Sequence, residues 1–468
     1  MTLLINPERL QADFDALSAI GATSDAEGNQ GVDRPALSAA HLEARAWFLA
    51  RAAQAGLETR VDAAGNHSAI LRAGLGLQPG VQRSVQLNAP TGVPSNATTG
   101  LPLNVATPLP PHASRHTPTR PHLSSPPPPP HTPTLLLGSH LDSVPNGGRF
   151  DGALGVLAAL EALRTIQEAG LRLPVDLEAI DFTDEEGTLV GELGSGALAG
   201  SLTAEALQQP RGGRQRLEDG LARAGLDERR LLTARRDPAS LAGYLELHIE
   251  QGPRLAQAAI AIGVVSGIVG ISSYRMTWRG QANHAGTTPM EARRDAGLGA
   301  ATFALTAREL VLRDFAGCAI NFGQMRFEPG AYNIIPGLAE LALEFRAPEA
   351  KQLGELEDAL LTLAGLVARQ QGLGLDLAPQ GGCAAAPMSV RAQAAIGAAA
   401  DSLALTHISL PSGAGHDAQA LAPVTPAGMI FIPSREGISH SPREFSDWQA
   451  CVDGANVLLL AALKMAEE

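Results

Sequence analysis

Leu10, Phe14 and Leu17 recur at helical spacing behind Asn6 and Pro7, a capping residue followed by a first-turn proline. The pattern predicts helix through residues 6–57 in two parts, the second running from Ser38 to Ala55 and closed by Gly56. Leu57 to Leu71 alternates as strand, turn and strand about Ala64-Gly65-Asn66. Thr134-Leu-Leu-Leu-Gly138 is a short apolar run suited to a buried strand; a helix follows over Gly155–Ala169, and Val175–Phe182 reads as a second strand. Strand, helix, strand implies a parallel layer. Residues 262–280 alternate strongly and lead to a helix near 291–313, strands at 317–328 and 338–346, and a helix over 349–372. That order predicts an inserted α+β sandwich, after which the chain returns with helix Ala394–Leu405, strand Met429–Pro433 and a last helix from Trp448. The expected fold class is α/β: a mixed, largely parallel sheet flanked by helices, with an inserted α+β sandwich. Its first domain is built from 1–266 and 381–468, and the insertion from 267–380.

Residues 74–133 break the pattern, being rich in Pro, Thr, Ser and Asn, with the run Pro126–Pro130 and four histidines, His112, His116, His122 and His131. Such a stretch favours solvated, polyproline-like conformations and reads as a tolerated surface insertion between strands. Length supports more than one domain, since 468 residues exceed what one core accommodates. A formal charge of -13 gives no basic footprint for a nucleic-acid or anionic-membrane partner. Cys318, Cys383 and Cys451 stand far apart, which excludes a disulfide framework and a cysteine metal finger. With no basic n-region at the start and apolar stretches interrupted by charge, neither a signal peptide nor a membrane span is expected, and a cytoplasmic location is the simplest expectation.

Most histidines outside the Pro-rich stretch fall in five short segments, each where a strand ends or a turn begins. Gly138-Ser-His140-Leu-Asp142 leads through a Gly-rich turn to Asp151. An imidazole can ligate a metal through one nitrogen while a carboxylate two residues on accepts from the other, making Asp142 a support for His140. Asp151 has two oxygens and could bridge two cations. Asp181-Phe-Thr-Asp184-Glu185-Glu186 places consecutive acids after an apolar strand. That is unfavourable unless cations neutralise one acid and another moves a proton; alone, it reads equally as a solvated acidic turn. Glu246-Leu-His248-Ile-Glu250-Gln251-Gly252, Gln281-Ala-Asn-His284-Ala-Gly, and Ser412-Gly413-Ala414-Gly415-His416-Asp417 with Gly437-Ile-Ser-His440 complete the set.

In order and spacing these segments, with Gly31-Val-Asp-Arg34 and Asp62-Ala-Ala-Gly-Asn66, resemble the hydantoinase/carbamoylase family of binuclear metallohydrolases, relatives of aminoacylase and the zinc carboxypeptidases that carry a dimerising lid. The resemblance covers the chain except the Pro-rich stretch. It implies two divalent metal ions (Zn, Mn, Co or Ni), one held by His140, His248 and Asp151 and the other by Asp151, Glu186 and His440. Glu185 falls on the family's general acid/base, Gln251, His284, Asn333 and Arg346 on its substrate-binding positions, and Gly413 and Ala414 in a turn at the substrate. His284 would also stabilise the oxyanion. The implied activity is hydrolysis of the ureido bond of an N-carbamoyl-L-amino acid, by a homodimer joined through the lids. Allantoate amidohydrolase and β-ureidopropionase share every motif and stand as alternatives. A catalytically silent metal- or ligand-binding protein is a remote one, against which the intact Glu185 speaks. Two departures are Glu344 two residues before Arg346, where the family shows aspartate, and Asp184, often asparagine, which adds a third acid beside the site.

Overall fold

A computed structural model describes residues 2–74 and 132–467. Residues 75–131, which include His112, His116, His122 and His131 and nearly all of the Pro-rich stretch, lie outside the described residues. The first helix, Pro7–Ser18, starts as its sequence dictates: the Asn6 side chain accepts from the Arg9 amide at 3.0 Å, and Leu10, Phe14 and Leu17 are buried. It stops far sooner than expected. Ala22–Ser24 and Gln30–Val32 pair as an antiparallel hairpin, and the second helix, Ala39–Gln54, is capped by Ser38. Two local features correct the continuous helix. Gly21 takes a φ of 71°, and the Asp25 carboxylate accepts from the amides of Glu27 and Asn29 at 3.0 and 2.9 Å, an Asx turn that outcompetes helix.

Among the described residues, nine strands form one sheet. Its centre is parallel, in the order Ala427–Ile432, Leu241–Ile249, Thr134–His140, Asp176–Phe182. His67–Leu71 and Glu58–Val61 add antiparallel strands on one side. Ile262–Ile268 lies antiparallel to Ala427–Ile432 on the other and pairs with His407–Ser412 and Ala386–Pro387. Helices Ala153–Glu168 and Trp448–Glu467 pack on the parallel strands, and Val390–Ser402 packs beside them. Leu193–Ala199 and Asp417–Leu421 join the cover of the other face. Sheets covered on both faces need strands apolar throughout rather than alternating, and all of Ala427–Ile432 is buried. Trp448–Glu467 is the one described helix long and apolar enough to cross a membrane, yet its Cys451, Val457, Leu458 and Leu459 are fully buried in this core.

The second sheet has four antiparallel strands in the order Ala319–Glu328, Leu338–Ala347, Gly270–Arg279, Gly374–Cys383. Helices Ala296–Asp314 and Ala350–Gln370 cover one face, around Trp278, Phe303, Leu341, Phe345 and Leu360. Here alternation survives, as Leu338–Ala347 shows by burying every second residue from Ala339. Large-sheet strands precede and follow this unit, which is therefore inserted between them.

Candidate metal centre

The parallel strands all end at one edge, and the loops beyond those ends assemble the site, as expected for an α/β sheet. His140 is the last residue of its strand and His248 the penultimate of the adjacent one. Glu185 and Glu186 follow Asp176–Phe182, and His440 follows Ala427–Ile432. Asp151 arrives from the loop before helix Ala153–Glu168. The intervening Gly152, at a φ of 63°, is the turn that allows this, because a Cβ there would strike the His140 imidazole.

Asp151 is the centre of the arrangement. Its Oδ1 stands 3.1 Å from His248 Nε2 and 3.7 Å from His140 Nε2, while Oδ2 stands 3.4 Å from His440 Nε2. Glu186 Oε2 is 3.5 Å from that same His440 nitrogen. Two ligands at roughly 2.0–2.2 Å from one ion are at most ~4.4 Å apart, so each pair of contacts suits a shared cation. His140, Asp151 and His248 form one grouping able to hold a divalent ion, and Asp151, Glu186 and His440 a second. A third, Glu246, His248 and His416, borrows His248. Backbone carbonyls orient the rings: His140 Nδ1 donates to Asp142 O at 3.0 Å and His248 Nδ1 to Ile249 O at 2.9 Å, turning each Nε2 toward Asp151.

That hydrogen bond corrects the role expected of Asp142. Its carboxylate lies 3.9 Å from His140 Nδ1, and accepts instead from the amides of Glu185 and Glu186, each at 3.3 Å. Asp142 thus supports the imidazole through its backbone and the two glutamates through its side chain. Asp184 is likewise occupied: its carboxylate accepts from the amides of Leu189, Val190 and Gly191 at 2.9, 2.6 and 2.9 Å, folding the loop behind Glu186. Gln251 donates from Nε2 to Asp151 Oδ2 at 2.7 Å and so touches the shared carboxylate. Glu444, which the sequence reading missed, holds the same residue from behind. It accepts from the amides of Phe150 and Asp151 at 2.9 and 3.1 Å, and from Ser439 Oγ at 2.7 Å. Ser439 Oγ stands 3.1 Å from Asp151 Oδ2. The available signal was Gly148, where any Cβ would collide with the Glu444 carboxylate.

Asp184, Gln251 and His440 hold left-handed φ values of 57°, 55° and 54°, uncommon for residues with side chains and clustered here around the site. Burial, then repulsion from Glu186, Asp417, Asp151 and Asp142, pushes the Glu185 carboxyl well above the usual carboxylate range. Burial and the charges of Asp151 and Asp142 do the same to Glu186. Burial lowers His140 to about 4, keeping it neutral, despite the opposing charge of Asp151. For His248 burial acts in the same sense but the hydrogen bond and charge of Asp151 prevail, and it is pushed up to about 9. Protons thus collect where positive charge is demanded, as expected of a site built for cations.

A cavity of about 750 Å³ opens over these groups, lined by Asp151, Glu185, His248, Gln251, Arg346 and Ala414 among others. Arg346, from the inserted sheet, donates from Nε and Nη2 to Glu344 Oε1 at 2.9 and 2.8 Å, and from Nη1 to the Gly413 carbonyl at 2.6 Å. Buried His416, present in the fifth segment but given no role there, also lines the cavity and stands edge-on to His248 at 4.5 Å between ring centres. His284 and Asn333 are placed together, the Ala285 amide donating to Asn333 O at 3.0 Å, but both are exposed and neither lines this cavity.

The sequence pattern of peptidase family M20/M25/M40 matches residues 136–464. An N-carbamoyl-L-amino acid amidohydrolase of Geobacillus stearothermophilus is 39% identical over 336 residues, 71% of this chain and 82% of that protein. An allantoate amidohydrolase of Bacillus subtilis (strain 168) is 32% identical over 338 residues, 71% of this chain and 81% of its own. The crystal structure of an amidase of the hydantoinase/carbamoylase family from Burkholderia phymatum superposes with a TM-score of 0.78 at 31% identity, covering 100% of this chain and 99% of that one. The chain belongs to peptidase family M20/M25/M40 and, within it, to the hydantoinase/carbamoylase amidases, hydrolases acting on C–N bonds.

Proposed function

We propose that the chain hydrolyses the ureido C–N bond of N-carbamoyl-L-amino acids, giving the amino acid, ammonia and carbon dioxide, and that His140, His248, Asp151, Glu186 and His440 would hold two divalent cations for it. The observation that carries this reading is the division of the Asp151 carboxylate, one oxygen toward His140 and His248 and the other toward His440. Similarity to N-carbamoyl-L-amino acid amidohydrolases supports the substrate class. The donors are imidazole and carboxylate, which suits Zn, Mn, Co or Ni. When bound there, the cation pair supplies a water ionised near neutrality and polarises the ureido carbonyl.

Glu185, half-buried, with Oε2 3.4 Å from His140 Nε2, is placed to take the proton of the attacking water and return it to the leaving nitrogen. Its raised affinity for a proton suits the second half of that task. Gln251 and Ala414 border the space left for the ureido group, and Gly413 holds Arg346 through its carbonyl. Arg346 anchors the substrate carboxylate in a forked pair, sharing its guanidinium with Glu344. His284 and Asn333, exposed on the inserted unit, act in the site of a second copy, His284 donating to the oxyanion and Asn333 supporting the carboxylate. The homodimer this requires is joined through the inserted units. Leu298, Leu305 and Leu312 line one exposed stripe of helix Ala296–Asp314 beside an edge strand bearing exposed Met325 and Phe327, and support this assembly.

The test is turnover by protein reconstituted separately with Zn, Mn, Co and Ni, on N-carbamoyl-L-amino acids, β-ureidopropionate and allantoate side by side. Higher kcat/KM on an N-carbamoyl-L-amino acid is the expected result. Preference for allantoate or β-ureidopropionate moves the assignment to that substrate, and activity indifferent to a chelator sinks the metal mechanism.

A further inference from the structure

Two arginines line the cavity, and the proposed mechanism uses only Arg346. The other, Arg211, comes from the loop before helix Arg214–Ala224 and lies over the turn Gly187–Gly191, directly beyond Glu185 and Glu186. That turn is shaped for it. A Cβ at either Gly187 or Gly191 would come within 3.0 Å of Arg211 Nη1, and the Asp184 carboxylate folds this stretch by taking the amides of residues 189–191. The guanidinium therefore lies against a turn that carries no side chain at 187 or 191.

The two cations differ in what already occupies them. All three nitrogens of Arg346 donate to Glu344 or to the Gly413 carbonyl. Arg211 has neither a hydrogen bond nor an ion pair to any of the described residues, and it is exposed to the cavity. Glu192, half-buried on the same wall, feels the charge of Arg211 without pairing with it, its carboxyl pushed up to about 7 by burial against that pull. A free planar donor set on the wall of a substrate cavity fits a carboxylate, which it can grip with two parallel N–H bonds.

We infer that Arg211 is a specificity-determining residue that binds a second carboxylate of the substrate, so that the preferred class is N-carbamoyl dicarboxylic amino acids. This rests on the ureido-cleaving reading above. The ureido carbonyl then sits at Asp151 and Glu185, the α-carboxylate at Arg346, and the side-chain carboxylate over the Gly187–Gly191 turn.

The experiment compares the metal-loaded wild type with Arg211→Gln and Arg211→Lys on N-carbamoyl-L-glutamate, N-carbamoyl-L-aspartate and N-carbamoyl-L-alanine. Binding of the products L-glutamate and L-alanine is measured by calorimetry alongside. The expected result is a wild-type preference for an acidic substrate, and a fall of roughly 10–100-fold in the acidic-to-alanine ratio of kcat/KM in Arg211→Gln. The fall is carried mainly by KM, with partial recovery in Arg211→Lys and matching weakening for L-glutamate over L-alanine. An unchanged ratio, or equal loss on all three substrates as a mere counter-charge to Glu192 would give, overturns the role of Arg211 and leaves the ureido reading standing. Wild type that cleaves none of the three overturns both.

Discussion

Every residue of Asp176–Phe182 in the large sheet is buried, its three acids included, whereas Ala319–Glu328 at the edge of the inserted sheet buries none. The acids are tolerated because each has a fixed partner. Asp176 pairs with Arg72 at 2.7 Å, Glu178 with Arg60 and Arg236 at 2.8 and 2.6 Å, and Asp181 with Arg45 at 2.8 Å. A second Asp181 oxygen accepts from the Leu141 amide at 2.8 Å, so the same network fixes the chain just after His140. The inserted unit does the reverse, confining its interior to apolar side chains and turning polar residues and a stripe of leucines outward. Buried, paired charge holds the groups of the site in one geometry, while the inserted unit leaves part of its apolar surface exposed.

The largest effect should come from Glu185→Gln at the edge of the large sheet. Turnover should fall by roughly 10²–10⁴-fold while bound metal, measured by elemental analysis, is retained. Near wild-type kcat would remove the centre of the comparison, because no group of the large sheet would then be indispensable to proton transfer. Next is Arg45→Met. Arg45 and Asp181 are both fully buried, and stranding one member of such a pair costs about 3–5 kcal/mol. Denaturant melts should show that loss together with weaker metal retention, since Asp181 steadies the segment after His140. A loss under about 1 kcal/mol would mean that this charge network does not position the site.

A smaller effect depends on pH. His67, in the large sheet and hydrogen-bonded to the Gly65 carbonyl at 2.8 Å, is lowered to about 3 by burial, with Arg45 adding to the shift. The unfolded chain takes up that proton near pH 6.5 and the folded one does not. The histidine's contribution is therefore complete above pH 6.5 and declines as pH falls toward 3, amounting to about 2 kcal/mol lost by pH 5. His67→Gln should lose about that much less stability than wild type between pH 7 and pH 5. Parallel losses in the two proteins would show that His67 is hydrated in the folded state.

The same contrast explains how far the sequence could be read. His140 closes the apolar run Leu135–Leu137, and His248, Glu185 and Glu186 stand at or just past the ends of strands that the sequence pattern also marked, so strand end and ligand were visible together. The alternation of Leu338–Ala347 likewise announced the inserted sheet. What escaped is set by distance along the chain. Glu444 reaches Asp151 across 293 residues, and its only local trace is a glycine at 148. Asp142 was read as a partner of His140 because spacing cannot tell a carbonyl from a carboxylate on the same residue. The hairpin at 22–32 was hidden by helical signals on both sides, and the strand Gly374–Cys383 by an exposed, glycine-bearing sequence with little apolar pattern. Arg211 carries no motif. Its place follows from the turn at Gly187–Gly191, which only the fold supplies.

The last prediction, Leu305→Asp, concerns the outward face of the inserted unit and should leave the single chain's stability within about 0.5 kcal/mol, since Leu305 is 68% exposed. Phe303, Ala307 and Val311 on the opposite side of that helix hold it to its sheet, and the substitution touches none of them. Residues 298, 305 and 312 recur every seven positions, which places the three leucines on one stripe of the helix. A charge at the middle of that stripe has nothing to offend in a monomer, yet it would be desolvated in any complex that covers it. Sedimentation velocity should therefore find a dimer for wild type and a monomer for the variant at equal concentration. Activity separates two consequences. If His284 and Asn333 serve a partner's site, kcat/KM must fall with dimer content and recover as protein concentration rises. A variant that stays dimeric shows that the copies meet elsewhere, and a fully active monomer shows that each chain completes its own site.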